Sequence, residues 1–116
     1  MEDTLFDLPE PRTPEQAVIA HFQLGGEDFG EPDQRALIFD AERAMTAAVG
    51  DAGVGEVDGN EFGGGEAVLY AYGSDADALF RVMEATLRAL PFRPAHVVLR
   101  HGDAEDAEAV ESRVEL

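Results

Sequence analysis

The spacing of hydrophobic positions along this chain predicts alternating strands and helices. Residues 17–24 alternate with a period of two, which is typical of a strand with one buried face. The residues expected on the buried side are Val18, Ala20, Phe22 and Leu24, with Ile19, His21 and Gln23 on the other side. Residues 32–49 instead place apolar side chains three and four positions apart, which predicts an amphipathic helix. Pro32 suits its first turn, and Gly50 suits its end.

A glycine-rich stretch after this helix predicts a hairpin with strands over residues 54–62 and 66–72. Two positions for the reversal are open, one at residues 63–65 and the other at Asp58-Gly59. In the first case, residues 58–60 form a bulge within the second strand.

The second half of the chain predicts a helix, a strand and an acidic end. Ser74 is expected to cap the helix together with Asp77, and Pro91 is expected to stop it. Its buried stripe would comprise Ala76, Leu79, Phe80, Met83, Leu87 and Leu90. A strand over residues 95–100 follows, and the alternation of residues 114–116 leaves a short extra strand beside it as an option.

The order strand, helix, strand, strand, helix, strand predicts an α+β fold of the ferredoxin-like, split βαβ kind. Right-handed crossovers then put both helices on one face of an antiparallel sheet with strand order 4-1-3-2, to which the optional C-terminal strand would add. We expect residues 16–101 to form this domain. Residues 1–15 predict a flexible acidic tail, and residues 102–116 an acidic C-terminal segment.

Composition narrows the classes of function. The chain has 116 residues, 45% of them apolar, which suits one domain. It has no cysteine, which excludes disulfides and a thiol nucleophile and fits a reducing compartment such as the cytoplasm. No apolar run approaches the ~18 residues of a membrane span, so no membrane partner is expected. The net charge of −17 disfavours nucleic acid, because phosphate contacts need a basic patch.

The hairpin also carries a resemblance to a known family. Its pattern, from Gly55 to Gly65, is Gly-x-x-Asp-Gly-Asn-Glu-Phe-Gly-x-Gly, followed by Leu-Tyr-x-Tyr-Gly and Asp-Ala-Asp-Ala-Leu-Phe. Residues 55–81 therefore resemble a family of small uncharacterised actinobacterial proteins. The resemblance implies a shared domain and lends no activity.

Two small groups of polar residues could carry chemistry. Asp58, Asn60, Glu61 and Glu66 put oxygen ligands, which hard cations prefer, onto one hairpin. Their spacing does not match a calcium loop, and the alternative is that they hydrogen-bond their own turn. His21 and His96 lie on strands expected to be neighbours, so they form either a metal or acid–base pair or an ordinary sheet surface. We expect no metal, no cofactor and no enzymatic activity.

The side of the sheet away from the helices, here called the open face, is the main candidate site. The small residues Ala67 and Ala71 leave room for helices, so Tyr70 and Tyr72 are expected to point away from them. The candidate binding residues on the open face are His21, Gln23, Tyr70, Tyr72, His96 and Arg100, with Ile19, Val68 and Val98 between them. Apolar patches of this kind tend to mark contacts. The alternative is the reversed facing, with the tyrosines in the core.

These observations predict a non-enzymatic binding or assembly module that acts through the open face. Its partner would be a second copy of the chain or another protein. One alternative is an acidic inhibitor or immunity-type protein that covers a basic partner. Another is a small-molecule-sensing domain that pairs as a dimer, and an enzyme that uses the histidines or the hairpin acids is the last.

Overall fold

Two helices pack on one face of a five-stranded antiparallel sheet in the part of the chain that a computed structural model describes, residues 15–25, 30–102 and 108–116. The elements are β1 Gln16–Gln23, α1 Pro32–Ala52, β2 Glu56–Gly63, β3 Glu66–Gly73, α2 Ala76–Ala89, β4 Ala95–Arg100 and β5 Glu111–Glu115. The expected α+β class is confirmed. The predicted tail, residues 1–15, lies outside the described residues apart from Glu15. Neither of these helices is long and apolar enough to cross a bilayer.

The sheet has the order β2-β3-β1-β4-β5, and every pair of neighbouring strands is antiparallel. This differs from the predicted order 4-1-3-2 because β5 adds a fifth strand at the β4 edge, so that the order read from that edge is 5-4-1-3-2. β5 is longer than the expected strand over residues 114–116. Its pairing with β4 makes this part of the C-terminal segment a member of the sheet.

The buried faces of the strands are those expected. The side chains that face the core are Val18, Ala20, Phe22 and Leu24 from β1 and the segment after it, Ala67, Leu69 and Ala71 from β3, and Ala95, Val97 and Leu99 from β4. The helices meet them with Ile38, Ala41, Met45 and Val49 of α1 and with Ala76, Leu79, Phe80, Met83 and Leu87 of α2. Tyr70 and Tyr72 are only half-buried, so the alternative that placed them in the core is wrong.

α1 extends further than the sequence predicted. Gly50 lies inside the helix, which ends at Ala52 and is capped by Gly53 in the left-handed conformation (φ 67°). The N–H of Gly53 donates to the carbonyl oxygens of Val49 and Gly50, at 3.0 and 3.2 Å. Either glycine suits a helix end. Residues 50–53 are all exposed, so packing does not decide which of the two glycines ends the helix.

α2 begins one residue later than the predicted cap allows. Asp75, rather than Ser74, is the cap residue, and its Oδ1 accepts hydrogen bonds from the N–H groups of Asp77 and Ala78 at 3.0 and 3.2 Å. Asp and Ser are comparable caps, so local sequence alone does not choose between two adjacent candidates. The buried stripe predicted for this helix is confirmed.

The hairpin between β2 and β3 reverses at Gly64-Gly65. These residues have φ values of 58° and 76°, as the mirror-image turn that matches strand twist requires. The register shifts between Val57 and Gly59, so the expected bulge is confirmed and the alternative reversal at Asp58-Gly59 is wrong.

The two chain segments at the open end of this hairpin approach each other closely at two glycines. A Cβ atom on Gly73 would lie 2.2 Å from the carbonyl oxygen of Val54. One on Gly55 would lie 2.1 Å from the carbonyl oxygen of Tyr72. Both clashes are with backbone, which cannot swing away as a flexible side chain can. The spacing of β2 and β3 at this end therefore depends on the absence of side chains at both positions.

We expect Gly73→Ala to lower the free energy of unfolding by about 1–3 kcal/mol, the usual cost of overpacking. Gly63→Ala is the matched control in the same hairpin, because open space surrounds Gly63 and its substitution should stay within about 0.5 kcal/mol. Urea unfolding followed by circular dichroism measures both variants. Equal stability of the two would contradict the close backbone approach.

Candidate functional site

The open face is built from residues that alternate with the core residues along each strand. Because the five strands are in register, their outward side chains form three rows across the sheet. The first row is Glu61, Val68, His21, His96 and Glu115; the second is Gly59, Tyr70, Ile19, Val98 and Arg113; the third is Glu56, Tyr72, Ala17, Arg100 and Glu111. A shorter row holds Gly63, Glu66 and Gln23. All six candidate binding residues therefore lie on this one face.

The centre of the open face is apolar. Ala17 and Val68 are only 5% and 7% exposed, although neither belongs to the core cluster beneath the helices. Ile19 and Val98, in register with each other in the middle row, are half-buried. Both described helices pack on the opposite side of the sheet, so neither of them covers this centre.

His21 and His96 lie side by side on β1 and β4 with their rings stacked. The ring centroids are 4.6 Å apart and the ring planes are within 9° of parallel. Nitrogen lone pairs lie in the ring plane, so two nearly parallel rings do not direct them at one ion. Among the described residues, no group of three or more His, Cys, Asp or Glu side chains is placed to hold a metal. The geometry thus favours a stacked surface pair over the metal-binding alternative.

The surroundings of the two histidines differ. Nδ1 of His21 lies 3.4 Å from a carboxylate oxygen of Glu66. Burial lowers the pKa of His96, and the positive charge of Arg113 and the neighbouring His21 lower it further, against weaker opposing effects of Glu115 and Glu66. At neutral pH the His96 ring is therefore uncharged and adds to the apolar centre.

Both tyrosines of the open face keep their hydroxyl protons at neutral pH. The Tyr70 hydroxyl donates to Oε1 of Glu61 at 2.8 Å, and this hydrogen bond, followed by burial, raises the pKa of Tyr70. Burial raises the pKa of Tyr72, and the negative charge of Asp58 raises it further. The two side chains are thus neutral rings that carry a polar tip, as contact residues often are.

The four hairpin residues singled out in the sequence are not brought together into one site. The Asn60 side chain lies on the helix side, where its Nδ2 donates to Oε1 of Glu42 on α1. Glu61 lies on the open face and accepts from Tyr70, Glu66 lies on the same face beside His21, and Asp58 is exposed in the bulge. The structure therefore does not support a shared cation site on the hairpin, and no ligand set converges there.

Charge surrounds the apolar centre on both sides. Glu56, Glu61 and Glu66 of β2 and β3 lie on one side, and Glu111 and Glu115 of β5 lie on the other; we call these five residues the acidic rim. The two arginines of the open face already pair with this rim: Arg100 with Glu111 at 3.0 Å and Arg113 with Glu115 at 2.5 Å. No basic residue occurs in β2 or β3. The face is therefore acidic overall.

The contribution of β5 to the open face was not predicted from the sequence. Glu111, Arg113 and Glu115 alternate, and this pattern was the available signal. The pattern shows which face these three side chains occupy only when the register of β5 with β4 is known.

A second concave surface lies on α1, outside the open face. Phe39, Glu42, Arg43, Thr46 and Ala47 line a shallow depression of about 530 Å³. The Phe39 side chain is 40% exposed, and its ring meets that of Phe62 edge-on with centroids 5.7 Å apart. This depression is lined by a single helix face, and the sequence did not indicate it.

The lowered pKa of His96 predicts a pH dependence of stability. In the unfolded chain His96 takes up a proton near its ordinary pKa of 6.5. In the folded protein the same ring takes up a proton only at lower pH. The free energy of unfolding should therefore fall as the pH drops below 6.5 and level off below the pKa of the folded state. Urea unfolding from about pH 8 to about pH 5 measures this dependence. His96→Asn cannot titrate and should show a flatter profile; superimposable profiles would contradict the prediction.

Comparison of the chain with known protein families, with curated proteins and with solved structures finds no match. The resemblance of residues 55–81 to a family of small actinobacterial proteins therefore stays a prediction.

Proposed function

We propose that this protein is a non-enzymatic binding or assembly module that contacts another protein surface, from a second copy or a different chain, through the open face. The observation that carries the proposal is the apolar centre of that face, which neither described helix covers. Its half-buried side chains are Ile19, Tyr70, Tyr72 and Val98. An apolar patch with a charged margin is the usual composition of a protein contact surface.

The fold we propose for this module is ferredoxin-like with one added strand. Four strands keep the neighbour relations of the 4-1-3-2 order, and their connections run strand, helix, strand, strand, helix, strand. β5 extends the sheet beyond β4 and enlarges the open face. Such sheets are free to use the side away from the helices for contacts, because the core needs only the other side.

The chemistry of the open face is compatible with a contact role. The pKa of each tyrosine is raised and that of His96 is lowered, so these groups are uncharged near neutral pH and add no charge to an interface. Tyr70 donates to a carboxylate and His96 stacks on His21, so among the described residues neither side chain activates a serine or threonine hydroxyl. We propose a cytoplasmic location, which the absence of cysteine supports.

Of the alternatives, an acidic inhibitor-type protein has an observation in its favour, namely the acidic rim and the net charge of −17. A small-molecule-sensing domain has less support from the observed geometry. The concave space beside the hairpin, lined by Glu61, Phe62, Gly63, Glu66 and Val68, is about 250 Å³. Pockets for small ligands usually have ~300–1,000 Å³ and enclose most of the ligand. The depression of about 530 Å³ on α1 has a sufficient volume, but it is lined by a single helix face.

We expect Tyr72→Glu and Tyr70→Glu to abolish the association of this protein with itself or with any partner while leaving the fold intact. Each side chain is half-buried in the isolated chain, so a carboxylate can stay hydrated there, but at an apolar interface it loses that hydration. Circular dichroism checks the fold. Light scattering measures self-association, and cross-linking in cell extract recovers other partners.

Phe39→Glu is the matched control, because it replaces an exposed aromatic ring on α1 rather than on the open face. It should leave association unchanged. Tyr70→Phe and Tyr72→Phe should also retain association, since the ring provides most of the contact area. If the glutamate variants fold and keep every association of the wild type, the proposed function is wrong.

A further inference from the structure

We propose that the partner of the open face is a basic protein surface, in which arginine or lysine side chains surround an apolar group. This inference rests on the proposed function and identifies the chemistry of the partner. The apolar centre provides the area for docking, and the charge around it selects what can dock there.

Within the described residues, the acidic charge on the open face is not fully compensated. The five carboxylates of the acidic rim face two arginines, Arg100 and Arg113, and both arginines lie on the β4–β5 side. Each already pairs with a glutamate of β5. On the β2–β3 side, the neighbours of the rim carboxylates are a tyrosine hydroxyl for Glu61 and a histidine ring for Glu66. That side therefore presents net negative charge to any docking surface.

A second copy of this chain fits such a face poorly. β1 is the middle strand of five, so a two-fold axis above it and parallel to the strands would place β2 of one copy over β5 of the other. Each row would then lie over the same row of the other copy, with its residues in the opposite order. Glu56 would lie over Glu111 of the other copy, and Glu61 over its Glu115. Both pairs carry like charges.

The other two-fold arrangement is no better. An axis across the strands would place β2 over the β2 of the other copy and reverse the order of the rows. Glu56 would then lie over Glu61 of the other copy, with a second such pair related by symmetry. Two copies also bring together net charges of −17 each. Like-charge juxtaposition costs free energy at an interface, whereas basic side chains opposite the same glutamates would be attracted.

The apolar centre of the open face also suits a partner with basic side chains. Val68 and Ala17 are nearly covered by their neighbours, and Tyr70 and Tyr72 are neutral rings at neutral pH. Aromatic rings accept both apolar groups and the planar guanidinium of arginine on their faces. A partner that presents arginines among apolar side chains therefore matches the centre and the acidic rim at once.

A library of random short peptides displayed on phage is the probe for this proposal. Selection on the wild-type protein should enrich peptides that carry arginine or lysine beside apolar residues. The dissociation constants of the enriched peptides are then measured by fluorescence anisotropy with three proteins: wild type, a rim variant and a control. The rim variant is Glu56→Gln, Glu61→Gln and Glu66→Gln together, in which a glutamine at position 61 can still accept from Tyr70. The control is Asp40→Asn, Asp51→Asn and Glu84→Gln on the helices, which changes the net charge equally.

We expect the rim variant to bind the enriched peptides about tenfold more weakly than the wild type, the combined effect of three surface charge pairs. The helix control should bind like the wild type, and added salt should slow association with the wild type more than with the rim variant. Enrichment of neutral or acidic peptides, or equal weakening in the rim variant and the control, would overturn the proposal.

Two further outcomes separate this inference from the proposed function. A wild-type dimer that Tyr72→Glu dissociates would overturn the basic partner and leave the open face as a contact surface. Enriched peptides that bind Tyr72→Ala, which removes the ring without adding charge, as tightly as wild type would overturn both the basic partner and the proposed function, because binding would then not involve the centre of the face.

Discussion

The arrangement of this protein depends on the pairing of β1 along both of its edges. Its eight residues pair with β3 on one side, and six of them pair with β4 on the other. Side chains in a strand alternate between the two faces, so this pairing sends every second residue of three strands towards the helices and the rest to the open face. A slip of one residue would exchange the core with the open face. The register of β1 therefore determines both stability and the chemistry of the candidate site.

The open face persists because its side chains shield one another and because its charges lie at the margins. Ala17 lies in register between the large side chains of Tyr72 and Arg100, and Ile19 lies between Tyr70 and Val98. Charged groups occur towards the outer strands, where water reaches them. This separation of an apolar centre from an acidic margin is the feature on which the proposed contact function rests.

The sequence by itself determined the elements and their buried sides. Alternation over residues 17–24 and the three-and-four spacing of the helices are local consequences of backbone geometry, so the core residues of β1, β3, β4 and α2 were predictable. The turn at Gly64-Gly65 was predictable for the same reason, because few residues adopt its backbone angles. The membership of the candidate binding face followed directly from this alternation.

Only the tertiary structure decided features that depend on residues far apart in the chain. The place of β5 beside β4 brought Arg113 and Glu115 onto the open face, and no local pattern encodes that register. The stacking of His21 on His96 depends on the pairing of β1 with β4. Asn60 turned towards α1 because the bulge set which side it faces, so the oxygen ligands of the hairpin separated. Local geometry fixes a period, but contacts between distant segments decide which partners meet.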